Sequence, residues 1–140
     1  MSEDARYTGR ERREFVIRVE QGLAQADLGE TVPHTEAAQS PDGVMPIAWT
    51  FQAVQDMGAA RMYSAPDSAQ YAASVTAQLV SAVDRLADFP LSGAMVPELQ
   101  DETIRVVSLG PFRVVYRVTP YDLQILTVFQ DVVSRFAASS

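Results

Sequence analysis

Residues 104–130 read IRVVSLGPFRVVYRVTPYDLQILTVFQ. Three runs rich in β-branched and aromatic residues are separated by two tight punctuation marks. Ile104 to Leu109 ends at Gly110-Pro111, and Phe112 to Val118 ends at Thr119-Pro120-Tyr121-Asp122. Leu123 to Gln130 comes last. Short turns between such runs predict an antiparallel meander. Side chains alternate across a strand, so Phe112, Val114, Tyr116 and Val118 share one face. Arg113, Val115 and Arg117 share the other.

Upstream, residues 68–88 carry Tyr71, Val75, Leu79, Ala82 and Leu86, continued by Phe89, at spacings of three and four. That is the period of one helix face, and Pro90 ends it. A second helix is predicted over Phe51 to Ser64, capped by Thr50, with Phe51, Val54, Gly58 and Met62 on one face. Pro66-Asp67-Ser68 separates the two. Ile47 to Trp49 reads as a short, edge-like strand. Trp49, Tyr63, Tyr71 and Phe89 read as packing residues. Asp84 and Asp88 read as a solvated helix face with Arg85 between them. The expected fold is α+β, a helical hairpin packed on a small antiparallel sheet.

Before this block the chain changes character. Gln39-Ser40-Pro41-Asp42-Gly43 is a turn and linker signal. Ahead of it lies an extra N-terminal helix, about residues 9–28, with Phe15, Val16, Val19, Leu23 and Ala26 on one apolar stripe and Gly29 as its C-cap. A second short element is expected over Thr31 to Ala38. The expected organisation is therefore a helical segment at 1–38, a linker at 39–45 and a main domain at 46–140. A single amphipathic helix cannot bury its own stripe. Phe15, Val19 and Leu23 are the expected docking residues, each contributing roughly 1.5–3 kcal/mol when buried.

Composition narrows the chemistry. The chain has 140 residues, 18 acidic and 11 basic side chains and a net charge of -7. All the basic residues are arginine. No cysteine is present, which excludes disulfides, thiolate metal sites and thiol nucleophiles. The only histidine, His34, sits in a Val-Pro-His-Thr-Glu stretch and reads as a turn or surface residue. No metal site and no cofactor are expected. No apolar run approaches the length of a membrane span, and the charged N-terminus is unlike a secretion signal. The sequence thus reads as a soluble cytoplasmic protein without a DNA-binding module.

The order strand–helix–helix–strand–strand–strand resembles the ParE/RelE superfamily of bacterial toxins, with ParE the nearer branch. The residues that carry the resemblance are Arg85-Leu86-Ala87-Asp88-Phe89-Pro90-Leu91-Ser92-Gly93, Val96-Pro97-Glu98-Leu99 and Pro111-Phe112-Arg113-Val114-Val115-Tyr116-Arg117-Val118, followed by the strand from Leu123. Residues 14–16 and 22–36, running Gly22-Leu23-Ala24-Gln25-Ala26-Asp27-Leu28-Gly29-Glu30 and onward, resemble the toxin-binding tail of certain small antitoxins. Met45-Pro46-Ile47 falls where a free-standing toxin of this family would begin. The resemblance thus implies an antitoxin-like helix fused to a toxin, acting in cis or in trans. About ten residues of linker reach up to about 33–36 Å, so exchange into a domain-swapped homodimer is also open.

Arg105, Arg113 and Arg117 are the candidate target-binding residues, because guanidinium groups on a sheet face bind phosphate or carboxylate bidentately. In ParE-like toxins the implied target is DNA gyrase, engaged by protein binding rather than catalysis. In RelE-like ribonucleases Arg105 and Arg113 would stabilise charge during mRNA cleavage. A degenerate, inactive toxin is a further alternative, as is simple pairing of these arginines with Glu98, Asp101, Glu102 or an acidic antitoxin segment. Two departures from the family pattern weigh against the ribonuclease. Ala94 stands where "SGR" would place an arginine, and Gln130-Asp131-Val132-Val133-Ser134-Arg135 replaces the usual histidine and basic cluster. Acid–base cleavage of RNA needs a proton-transfer group or several cations at the phosphate.

Overall fold

A computed structural model describes residues 9–34, 45–64, 69–110 and 112–130. The elements are α1 (Gly9–Asp27), β1 (Thr31–Pro33), β2 (Ile47–Thr50), α2 (Phe51–Ser64), α3 (Ala69–Asp88), β3 (Ala94–Met95), β4 (Ile104–Leu109), β5 (Phe112–Val118) and β6 (Leu123–Gln130). The expected break at Pro66-Asp67-Ser68, linker residues 39–44 and the segment after Gln130 lie outside the described residues.

The strands form one six-stranded sheet in the order β1-β2-β6-β5-β4-β3. β4, β5 and β6 make the expected meander. Two strands are additional: β3 extends one edge beside β4, and β1 extends the other beside β2. The strand expected at an edge, β2, is therefore interior. It runs parallel to β6, as the α2–α3 crossover allows.

Each sheet face has its own apolar cluster. On one face Ala53 and Ala60 of α2 and Val75, Leu79, Val83 and Leu86 of α3 are buried against Trp49, Val114, Tyr116, Leu123 and Ile125. On the other, Phe15, Val19 and Ala26 of α1 meet Val96, Ile104, Val106, Val115 and Leu126, with Val16, Leu23, Leu99 and Phe129 packed alongside. The molecule is thus an α/β/α sandwich whose outer layers are the hairpin and the N-terminal helix.

Two expectations about helix faces need correction. The predicted apolar face of α2 points to solvent: Phe51 and Val54 are nearly half exposed, and Gly58 is exposed. The buried positions are Gln52, Ala53, Asp56 and Ala60. Buried polar side chains occupy this face, so apolar periodicity selected the wrong one. Phe89 is 65% exposed, because α3 ends at Asp88 and the chain turns away from the sheet. Trp49 lies in the core as expected. The side chains of Tyr63 and Tyr71 lie outside the described residues.

Local rules explain the C-terminal end of α1 and the turn after α3. Gly29 has φ of +75°, and Glu30 N–H donates to the Gln25 carbonyl while Gly29 N–H donates to that of Ala26. That is a Schellman stop, for which glycine is the favoured residue. At the other turn, a Cβ on Gly93 would lie 2.6 Å from the Tyr116 hydroxyl and 2.9 Å from the Val106 carbonyl. Position 93 therefore has no room for a side chain. Tyr116 donates to the Pro90 carbonyl at 2.7 Å and accepts from Gly93 N–H at 3.0 Å. Burial raises its phenol pKa above the ordinary 10.0.

Candidate partner-binding face

β5 positions two of the three expected arginines on the α1 side of the sheet. Arg113 is buried, with its guanidinium 5.2 Å from the centre of the Phe15 ring. That distance suits a cation–π contact. Phe15 also meets Phe129 edge-on, at 5.1 Å and 82°. Arg117 donates through Nη2 to Asp27 Oδ1 at 2.9 Å and through Nε to Gln124 Oε1 at 2.8 Å. Both arginines therefore meet residues of the N-terminal helix.

Arg105 stands apart. In the ladder it lies opposite Tyr116, which faces the hairpin. It donates to the Gly93 carbonyl at 3.1 Å and the Glu102 carbonyl at 3.2 Å. Its contacts brace the turn after α3. The structure thus joins Arg113 with Arg117 and separates both from Arg105.

The expected docking residues on α1 all meet the sheet. Phe15 and Val19 are fully buried, and Leu23 packs against the same cluster. The closest approach is at Gly22, where a Cβ would lie 2.5 Å from the Leu126 carbonyl oxygen and 2.8 Å from the Leu126 Cβ. Leu126 is the extra residue of a β-bulge: Ile125 pairs with Tyr116 and Thr127 with Val115. Its carbonyl accepts from Thr50 Oγ1 at 3.0 Å and Gln52 Nε2 at 3.1 Å. Bulges of this kind re-aim side chains and backbone groups. This one meets α1, β2 and α2 at a single point.

Around that point lies a polar network that sequence reasoning missed. Asp56, only 8% exposed, pairs with Arg18 of α1 and accepts from Thr127 Oγ1 at 2.5 Å and Val128 N–H at 3.0 Å. Gln52 Nε2 donates to the Arg18 carbonyl at 2.6 Å. Gln25 Oε1 accepts from Gln52 N–H at 2.7 Å. Thr50 Oγ1 accepts from Ala53 N–H, and the Glu30 carbonyl accepts from Phe51 N–H. The first turn of α2 leaves open amides. Thr50 caps one as predicted, and the N-terminal segment satisfies two more. The available signal was a glutamine and an aspartate four apart within a weakly periodic helix.

A second tie joins β1 to the hairpin. His34 accepts at Nδ1 from Trp49 Nε1–H at 2.9 Å and faces Asp84 Oδ1 through Nε2 at 2.6 Å. Its ring stacks on Trp49 at 6.0 Å and 9°. An indole N–H only donates, so the proton of a neutral His34 sits on Nε2, toward Asp84. The expected turn histidine is therefore a half-buried cross-link between elements. Among the described residues no cluster of histidine, cysteine, aspartate or glutamate could hold a metal ion, and no helix is long and apolar enough to cross a membrane.

Comparison with known proteins fits this architecture. Nothing among curated proteins matches the chain. A solved structure described as the chromosomal ParDE TA system from P. aeruginosa matches with a TM-score of 0.54 and 25% identity, covering 64% of this chain and 98% of that one. The family described as ParE toxin of type II toxin-antitoxin system, parDE, matches residues 47–133. That span holds β2 through β6 and leaves α1 and β1 outside it. More than half of the chain fits the family, so the protein belongs to the ParE toxins of type II toxin–antitoxin systems.

Proposed function

We propose that this chain is a ParE-type toxin held silent by its own N-terminal segment. In this reading residues 1–38 are an antitoxin-like tail, 39–45 a linker and 46–140 the toxin, which binds DNA gyrase rather than catalysing a reaction. The observation that carries the reading is α1 itself. It lies outside the family's span, yet it covers the sheet face bearing Arg113 and Arg117 and supplies polar partners to α2. The solved structure to which the chain is similar is described as a chromosomal ParDE TA system.

Docking in cis fits the pairing of β1 with β2, which is antiparallel with Pro33 beside Ala48. Exchange with a neighbour's N-terminal segment is the alternative arrangement. Separation of Arg105 from Arg113 weighs against a ribonuclease that uses both on one phosphate.

Full-length protein with Phe15→Arg, expressed from an inducible promoter, tests the reading. A second guanidinium beside buried Arg113 would be desolvated against a like charge. The expected result is growth arrest, inhibition of gyrase supercoiling in vitro and intact mRNA on ribosomes. Normal growth from a folded variant would support the degenerate toxin. Ribosome-dependent mRNA cleavage lost on Arg113→Ala would replace gyrase with the ribosome. Light scattering of the wild type separates a monomer from an exchanged dimer.

A further inference from the structure

The geometry points to a two-point polar code by which the toxin domain selects the helix lying on its sheet: Asp56 requires a cation and the Gln52 amide requires an acceptor two helical turns later. This rests on the masking role proposed for α1 and names the residues that make it specific.

The apolar part of the interface does not discriminate well. Phe15, Val19 and Leu23 lie on a stripe that many amphipathic helices present, and hydrophobic burial is non-directional. The polar points differ. Asp56 is almost wholly buried on α2, and its partners among the described residues of the toxin domain, Thr127 and Val128, are neutral donors. The cation comes from α1, through Arg18. Seven residues on, Gln25 presents its Oε1 to Gln52 N–H, while the Gln52 side chain reads the backbone carbonyl of Arg18. Arg18 and Gln25 thus occupy one face of α1, two turns apart, above Asp56 and Gln52, one turn apart on α2.

A helix without a cation at the first position leaves a buried carboxylate short of its counter-charge. One without an acceptor at the second leaves an α2 amide open. Either omission is costly because the groups are buried. Discrimination between partners therefore comes from the penalty on the wrong helix as much as from the gain on the right one. The close approach at Gly22 fixes the register between the two points. A slip of one residue would drive a Cβ into Leu126.

Hydrogen–deuterium exchange of the full-length chain tests the code without reference to toxicity. Arg18→Asp should speed exchange of α1 amides by roughly tenfold to a hundredfold while β5 and β6 stay protected. Arg18→Met should give a smaller rise, and Gln25→Ala a rise of a few-fold. Combining Arg18→Asp with Asp56→Arg should restore much of the protection. A full-length Asp56→Arg variant should also bind a peptide of residues 9–30 carrying Arg18→Asp at least roughly tenfold more tightly than the wild-type peptide. Should Asp56→Arg fail to fold, the α1 variants decide alone, because they alter nothing in the toxin domain. Unchanged α1 exchange in Arg18→Asp, or equal effects of Asp and Met, would overturn the code. Faster exchange without growth arrest would leave the code standing and remove the masking role.

Discussion

The two faces of the sheet are buried by different means. Beneath the hairpin, α3 meets the sheet through aliphatic and aromatic side chains, with Leu79, Val83, Val114, Leu123 and Ile125 wholly inaccessible. Beneath α1 the apolar patch is smaller, and it is ringed by Arg18–Asp56, Gln25–Gln52, Arg113–Phe15 and Arg117–Asp27. Dry packing suits a surface that never opens. A patch with charged and hydrogen-bonded anchors resembles a protein–protein interface, where polar groups confer selectivity. The contrast sets a folding core and the proposed docking site against opposite sides of the same strands.

Truncating one large side chain on each face is the strongest way to break this contrast. Leu79→Ala removes a fully buried side chain from the hairpin face and should cost about 2–5 kcal/mol. Its loss should lower protection across α2, α3 and the sheet together. Phe15→Ala removes comparable packing from the other face and should cost about 3–5 kcal/mol of docking. Here exchange should rise in α1 alone while α3 and β5 remain protected. Equal, global loss of protection in both variants would erase the distinction between core and docked helix.

Gly22→Val probes the same boundary by addition. Its Cβ would fall within 2.5 Å of the Leu126 carbonyl oxygen, a backbone atom held in the bulge. The helix must lift, at a cost of about 1–3 kcal/mol. Valine is also a poorer helix former than alanine, but it exceeds glycine. Any loss therefore reports the contact rather than the propensity. Wild-type exchange of α1 in this variant would mean that the helix and bulge do not meet so closely.

How much of this was legible beforehand follows from where the burial pattern is apolar. β4, β5 and β6 are runs rich in β-branched and aromatic residues between clear turn signals, and the meander follows from that alone. α3 is equally plain until Phe89. The spacing continues through Phe89, but Pro90 and the Tyr116–Gly93 contact turn the chain away, so tertiary geometry overrides the period. α2 is the instructive failure. Its buried face carries Gln52 and Asp56, whose partners come from α1 and β6, far away in sequence. A hydropathy pattern cannot reveal a polar side chain whose partner lies elsewhere. β1 and β3 are only three and two residues long, too short for any periodicity. The stripe on α1 was visible, as was the alternation that places Arg113 beside Arg117. Arg105 lies on another strand, and the register that turns it to the opposite face is a property of the ladder.

Tyr116 sharpens the hairpin side in a pH-dependent way. Its folded pKa is raised, chiefly by burial, above the ordinary 10.0. The neutral phenol is the form that fits the fold. Its stabilisation is therefore complete below pH 10 and is lost as pH climbs through the higher native value. The urea midpoint of the wild type should fall more steeply above pH 10 than that of Tyr116→Phe. Near pH 7 the substitution should cost about 1–2 kcal/mol, because Gly93 N–H and the Pro90 carbonyl lose their partner. Parallel alkaline profiles for the two proteins would show that this phenol does not titrate with unfolding.

The smallest effect is the most discriminating for the docked side. Arg117–Asp27 and Arg18–Asp56 both join α1 to the toxin domain, but Asp27 is two-thirds exposed while Asp56 is nearly inaccessible. An exposed pair is screened and must order two side chains, so its contribution is about 0.2–1 kcal/mol. Asp27→Asn should therefore barely change α1 protection, and the change should fade as salt is raised past physiological strength. Arg117 would keep its bond to Gln124, leaving the guanidinium in place. Arg18→Met should show a larger loss that salt does not abolish, because the carboxylate left behind is buried. If the two variants respond alike in size and in salt dependence, burial does not set the strength of the anchors, and the docked helix is held by its apolar stripe alone.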